Sequence, residues 1–216
     1  MTRTLLLIRH GQIRANTIRR WHGATDSPLT ALGRRQAGRL ANYLGRRIKS
    51  PPEPPGAPEA LEALGTLDAI YSSPLSRCHD TALELARSFG QEVKIDDGLR
   101  EYGIGQLENL PVKRLHEEHD FFRRIFDDAD YAPVGGDSIN AVAARIVPAL
   151  RRIHDHEGSG VVAVVSHGAA LGIALATLLD ENPMAWRNYH VDNCSITELR
   201  LAPRAELGEF NQTSHL

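Results

Sequence analysis

The sequence is poor in the features that tie a protein to a membrane, to nucleic acid or to an oxidising compartment. Its two cysteines, Cys78 and Cys194, are too few for a disulfide framework and suit a reducing compartment. No apolar run approaches the ~20 residues needed to cross a bilayer. The four aliphatic residues Leu5 to Ile8 are too few for a signal-peptide core, so a soluble, cytoplasmic protein is expected. A formal net charge of −2 gives no electrostatic reason for a nucleic-acid partner. Metal-ligand spacing is missing as well. His116-Glu117-Glu118-His119 lacks the i, i+4 histidines of a zinc helix, and His154-Asp155-His156-Glu157 falls at a polar helix end. Cys194 and Arg200 have Cys-x5-Arg spacing, but Ile196, Thr197 and Leu199 make an extended segment without the glycine-rich amide loop such a thiolate needs. No metal and no cofactor are expected, and the oligomeric state is left open.

What is present is unevenly placed. Residues 1–50 hold ten arginines and one lysine against a single acid, Asp26. Arg34, Arg35, Arg39, Arg46 and Arg47 fit a solvated helix face. Of the rest, Arg9, Arg14, Arg19 and Arg20 lie close in sequence to glycine-rich turns and suit a small anionic ligand better than a polyanion.

Hydrophobic periodicity gives alternating strands and helices. Leu5–Ile8 is a short buried strand that breaks into Arg9-His10-Gly11-Gln12, and Ile13 to Thr25 is an irregular loop. Thr30 caps a helix with a stripe at Leu32, Gln36, Leu40, Leu44 and Ile48. Ser50 to Pro58 holds five prolines and reads as a surface loop. Leu67–Tyr71 is the second strand; Ser73 as N-cap and Pro74 at the first helical position open a helix with a stripe at Leu75, Cys78, Ala82, Leu85 and Phe89. Val93–Ile95 is a third strand. Residues 103–135 form a helical, cap-like excursion, after which Asp137 or Ser138 caps a helix that Pro148 should kink or divide. Val161–Val165 is the most strand-like run, ends in Ser166-His167-Gly168, and precedes a helix through Leu171 and Leu178. Residues 193–201 form the last strand. This pattern implies one α/β domain over 1–216, a three-layer α/β/α sandwich around a mostly parallel sheet.

Parallel strands bring the residues beyond their carboxyl ends to one edge, where ligands bind in open α/β sheets. Here those residues are Arg9, His10, Arg77, Glu101 and His167. Two guanidiniums, two imidazoles and a carboxyl group suffice to move a phosphoryl group without metal: cations meet the equatorial oxygens, an imidazole attacks phosphorus, and the acid protonates the leaving oxygen. Singly, a histidine or arginine after a strand is more often an ordinary loop residue.

In order, these blocks resemble the histidine phosphatase superfamily, the phosphoglycerate mutase-like proteins. Arg9-His10-Gly11 matches the family's first motif, and Asn16, Gly23, Asp26, Leu29 and Gly33 continue it. Tyr71-Ser72-Ser73-Pro74-Leu75-Ser76-Arg77 is similar to the second block and Leu99-Arg100-Glu101 to the acid block, with Glu108 nearby as another acid. Gly135-Gly136-Asp137-Ser138, Ser166-His167-Gly168 and Asn193-Cys194-Ser195-Ile196-Thr197 complete the series. The chain departs at Gln12, Ile13, Ala15 and His22, positions in the loop that meets substrate.

The resemblance implies His10 as nucleophile through a phosphohistidine, Arg9, Arg77 and His167 around the phosphoryl oxygens, and Glu101 as acid and then base. An ordinary glutamate, near ~4.3, is ionised at neutral pH, so this role requires its pKa to be raised. Gln12, Asn16, His22, Gly23 and Gly168 are the expected substrate contacts. Arg123 and Arg124 fit a solvated face better than the arginine pair that meets substrate in mutases. The expected function is a phosphatase acting on a small phosphorylated metabolite. A phosphoglycerate mutase is the closest alternative, disfavoured because only 33 residues separate Glu101 from Gly135. A non-catalytic binding protein on the same fold is the third.

Overall fold

The computed structural model describes residues 3–49, 65–155 and 160–216. The proline-rich run 50–58 lies outside them, as do His156 and Glu157. In chain order the elements are β1 (Leu5–Arg9), the single turn α1 (Arg14–Thr17), α2 (Ala31–Lys49), β2 (Leu67–Ser72), α3 (Ser76–Phe89) and β3 (Val93–Ile95). They continue with α4 (Val112–Glu117), α5 (Phe121–Asp127), α6 (Ile139–His154), β4 (Val161–Ser166), α7 (Gly168–Leu179), β5 (Ile196–Arg200) and β6 (Glu206–Leu207). Among the described residues, short 3-10 helices lie at Asp97–Leu99, Gly105–Leu107 and Pro183–Asn188.

The sheet order is β3-β2-β4-β1-β5-β6. The first four strands are parallel, while β5 runs antiparallel to β1 and β6 antiparallel to β5. Alternation along the buried strands feeds two separate cores. Leu5, Leu7, Val162 and Val164 pack with α6, α7 and the excursion, whereas Leu6, Ile8, Ala163 and Val165 pack with α2 and α3. The expected three-layer α/β/α arrangement follows from that division.

Several local expectations needed correction. Leu32 is 40% exposed, not part of the buried stripe, which is Ala37, Leu40, Ala41 and Leu44. Steps of four residues drift about 40° each around a helix, so a stripe of four such steps cannot keep one face. Arg47 is not on the solvated face either: it is buried and bonds Glu209 at 3.0 Å, with Glu198 at 3.4 Å. Ser73 does not cap α3, which starts at Ser76; its N–H extends the ladder to Val165 O at 3.0 Å and its hydroxyl is taken by His167. Pro148 leaves α6 undivided. Its missing N–H faces Ala144, and both lie on the exposed side, where water can bond the freed carbonyl. Thr30 and Ser138 do cap their helices, accepting from Gly33 N at 3.0 Å and Ala141 N at 3.1 Å. The excursion is helical but broken, with Asp120 in a left-handed conformation between α4 and α5.

Candidate active site

Sheet register builds the centre of the site. β1 and β4 pair in step from Leu5 with Val162 to Arg9 with Ser166, so the next residue on each strand is a histidine. The His10 N–H continues the ladder to Ser166 O at 3.0 Å. The two imidazoles meet edge to face with centroids 5.3 Å apart. Gly11 and Gly33 let the start of α2 press against this turn: a Cβ on Gly11 would lie 2.6 Å from Gly33 O.

Hydrogen bonds fix the tautomers. His10 Nδ1 lies 2.7 Å from Gly11 O, and because a carbonyl only accepts, Nδ1 carries the proton and Nε2 keeps its lone pair. In His167, Nδ1 accepts from Arg77 Nε at 3.2 Å, which leaves Nε2–H to donate to Ser73 Oγ at 2.8 Å. Burial first, then Arg77 and Arg9, hold the His10 pKa well below its ordinary value. Burial, Arg77 and His10 do the same for His167, so both rings are neutral near pH 7. Cys78 touches His167 but stays a thiol, because burial pushes its pKa far up.

The two histidines give a pH signature. Their folded pKa values lie below the unfolded ~6.5, so the unfolded chain takes up protons first as pH falls. Their stabilisation is complete above about pH 6.5 and declines below it. Urea midpoints are expected to drop between pH 7 and pH 5, and the drop should shrink in His10→Gln; a drop of the same size in both proteins contradicts the assignment.

Arg77 is wholly buried and sits behind the histidines. Besides His167, it donates to Thr25 O at 2.8 Å, His22 O at 3.1 Å and Gly23 O at 2.9 Å. Glu108 grips the opposite side of the same loop, accepting from Gly23 N at 2.9 Å, Ala24 N at 3.0 Å and Thr25 N at 3.2 Å. It also takes the Thr25 hydroxyl at 2.8 Å and Ile104 N at 3.0 Å. A cation on its carbonyls and an anion on its amides thus fix the loop that carries His22 to the site. Glu108→Ala strands four amides, and a loss of roughly 2–3 kcal/mol of stability is expected in urea melts. Glu108→Gln, which retains one acceptor oxygen, should lose less.

Glu101 stands at the amino end of α7. Its carboxylate accepts from Ala170 N at 2.8 Å, Ala169 N at 3.2 Å and Tyr102 N at 2.8 Å. Glu101 supplies acceptors for amides that α7 itself leaves open, at the end where the helix dipole favours negative charge.

A pocket of about 350 Å³ opens over these groups, lined by Arg9, His10, Asn16, His22, Glu101 and Gly168 among the expected residues. Arg9 donates to Val191 O at 2.7 Å, and its Nε has no protein partner. Asn16 Oδ1 is occupied by Ile13 N at 3.0 Å and Asn193 Nδ2 at 3.3 Å, which leaves its amide N–H groups as donors. Arg77 and His167 lie behind the lining. Gln12 and Gly23 do not reach it. Gln12 is bonded to Thr30 and Gln36, and Gly23 is packed so that a Cβ would sit 2.1 Å from Tyr102 O. Gly23 is a turn residue held by Arg77 and Glu108. Arg123 lies outside the pocket, on an exposed face between Asp120 and Asp127, and exposed Arg124 stacks on Tyr131.

The remaining wall comes from Arg20, Trp21 and Phe122 together with Trp186, Arg187, Tyr189 and His190. Arg20 belonged to the surplus of arginines near the amino terminus. The 183–190 segment shows no periodic pattern, and its only signal is a cation among aromatic residues just before the last strand.

A pocket with one carboxylate, three guanidiniums and a neutral imidazole, at the carboxyl edge of parallel strands, marks an α/β protein of the oxyanion-binding kind. The model of the histidine phosphatase superfamily (branch 1) matches residues 5–50 and 57–211, and the chain belongs to that family. It is 32% identical over 215 residues to a bifunctional protein of Mycobacterium tuberculosis, covering 98% of this chain but 54% of that protein, so it spans about half of that relative's length. It is 33% identical over 195 residues to a Salmonella newport protein named "Probable phosphoglycerate mutase GpmB", covering 89% of this chain and 82% of the other. A mycobacterial glucosyl-3-phosphoglycerate phosphatase, solved with VO3, superposes with a TM-score of 0.81 at 30% identity, over 98% of this chain and all of the other. Among the described residues, no helix is long and apolar enough to cross a membrane.

Proposed function

We propose that the protein is a metal-independent phosphatase that hydrolyses a small phosphomonoester through a phosphohistidine on His10. The observation that carries this reading is the fixed tautomer of His10, a buried neutral imidazole whose Nε2 lone pair is uncommitted in a pocket dominated by guanidinium groups. Nε2 forms a bond to phosphorus while the ester P–O bond breaks and its electrons pass to the leaving oxygen. A proton that enters with the phosphate monoanion is passed to that oxygen by Glu101. Arg9 meets the phosphoryl oxygens directly, and Arg77 acts on them through His167 and the field it sets. Water then attacks the phosphohistidine, Glu101 recovers a proton from it, and inorganic phosphate leaves with His10 neutral again.

The mutase alternative has its own support in the likeness to the Salmonella protein. Incubation with 3-phosphoglycerate distinguishes the two. Release of inorganic phosphate, with no 2-phosphoglycerate formed, is expected; isomerisation without release makes the protein a mutase. A broad panel of phosphomonoesters left wholly intact by the folded protein returns it to a binding role.

A further inference from the structure

Beside the phosphate pocket lies a second basin of about 750 Å³, and the two share Phe122 and Arg187 as a common wall. Its apolar surface is made by Ile18, Val112, Phe122 and Phe126, with Ile18 48% exposed. Among the described residues, no carboxylate lines it. Cations on the neighbouring helices are neutralised locally: Lys113 by Glu117 at 3.8 Å, Arg114 by Glu118 at 2.7 Å, Arg123 by Asp120 and Asp127. Among the described residues, Arg19 and Arg187 have no such acidic partner, and both face the basin.

Each is held in place by other means. The Arg187 guanidinium stacks 4.6 Å from the centre of the Phe126 ring and 5.5 Å from that of Phe122. Stacking of this kind orders the cation while leaving its in-plane N–H donors free for a carboxylate or phosphate. Arg19 has a φ of 49°, a left-handed conformation that costs a branched or long side chain about 1 kcal/mol. The bond from Val112 N to Arg19 O at 2.9 Å holds it there. A strained arginine and a stacked arginine at one apolar basin, both lacking acids, make a subsite with charge of one sign.

We infer that the leaving group of the substrate is extended: a ring-sized apolar body packs in the basin against Ile18, Val112, Phe122 and Phe126, beside the Arg187 guanidinium, and a distal acidic group meets Arg19 and Arg187. This rests on the phosphatase reading above and assigns the substrate class of the same site. Phosphate in the first pocket and the distal acid in the second are joined across the shared wall, so a short ester fills only half of what is built.

Three probes with leaving phenols of similar acidity test the inference: phenyl phosphate, biphenyl-4-yl phosphate, and its 4′-carboxy derivative. With the full chain, kcat/KM is expected to rise in that order, the carboxylate adding about tenfold, a typical charge-assisted contact. Arg19→Gln and Arg187→Gln together should bring the ratio of acidic to neutral biphenyl probe to near one. Phe126→Ala should lower the ratio of biphenyl to phenyl probe, with thermal melts monitoring its fold. Equal rates on all three probes, or ratios that the arginine variants leave unmoved, overturn the inference while the phosphatase reading stands. If no probe is hydrolysed, the phosphatase reading fails instead. Calorimetric affinities of the same probes then judge the basin by the same ratios.

Discussion

Replacing His10 with alanine is expected to lower phosphomonoester turnover by at least about ten-thousand-fold, the scale seen when a nucleophile is removed. The burst of leaving group and the phosphoryl label retained on denatured protein at alkaline pH should both vanish. The size of the effect follows from how the ring is committed. Nδ1 is fixed as donor to Gly11 O, so Nε2 is the atom left with a lone pair in the form present at neutral pH. Burial and the two guanidiniums keep protons from competing for that lone pair. His167 cannot substitute, because Nδ1 already accepts from Arg77 and Nε2 donates to Ser73. His167→Ala should therefore slow turnover by about a hundredfold, because it removes the ring that holds Arg77 Nε behind the site, yet still form the label. Labelling that persists in His10→Ala, or is lost in His167→Ala alone, reverses the two assignments.

The same centre shows which features a sequence discloses. Strand runs ending in Arg9-His10-Gly11 and Ser166-His167-Gly168 are local signals, and parallel pairing of β1 with β4 turns them into neighbours. Glu101 was legible as a block, but its attachment to the amino end of α7, 67 residues beyond its own turn, was not. Glu108 was legible only as another acid near Glu101. Its task of holding residues 23–25 depends on an approach between segments distant in the chain, which leaves no periodicity to read. Gln12 and Gly23 lie outside the pocket lining for the related reason that motif residues serve two ends. Some touch the ligand, and others, such as Gly23 against Tyr102 O, exist because the backbones crowd. The wall from Trp186 to His190 was hard to read because a 3-10 helix and a loop have no stripe, and its place at the site comes from close packing on α7, where a Cβ on Gly172 would lie 2.8 Å from Trp186 O.

Glu101→Gln is expected to divide substrates by leaving group. Glutamine keeps the size of the side chain and one oxygen for the amides of Ala169 and Ala170, so α7 should stay anchored. What it cannot do is deliver a proton to a departing oxygen or take one from water. An alkoxide is a poor leaving group and needs that proton in the transition state, and removing a general acid typically slows such a reaction about a hundred- to ten-thousand-fold. A nitrophenolate leaves unassisted, so formation of phosphohistidine from 4-nitrophenyl phosphate should fall less than about tenfold in a single-turnover burst. Steady-state turnover of the same ester should fall further, because water must still be deprotonated in the second step. Burst and steady state thus report the acid and the base roles of one carboxyl group separately. Equal losses for alkyl and nitrophenyl esters in the burst would assign Glu101 to holding the end of α7, with the proton coming from elsewhere in the pocket.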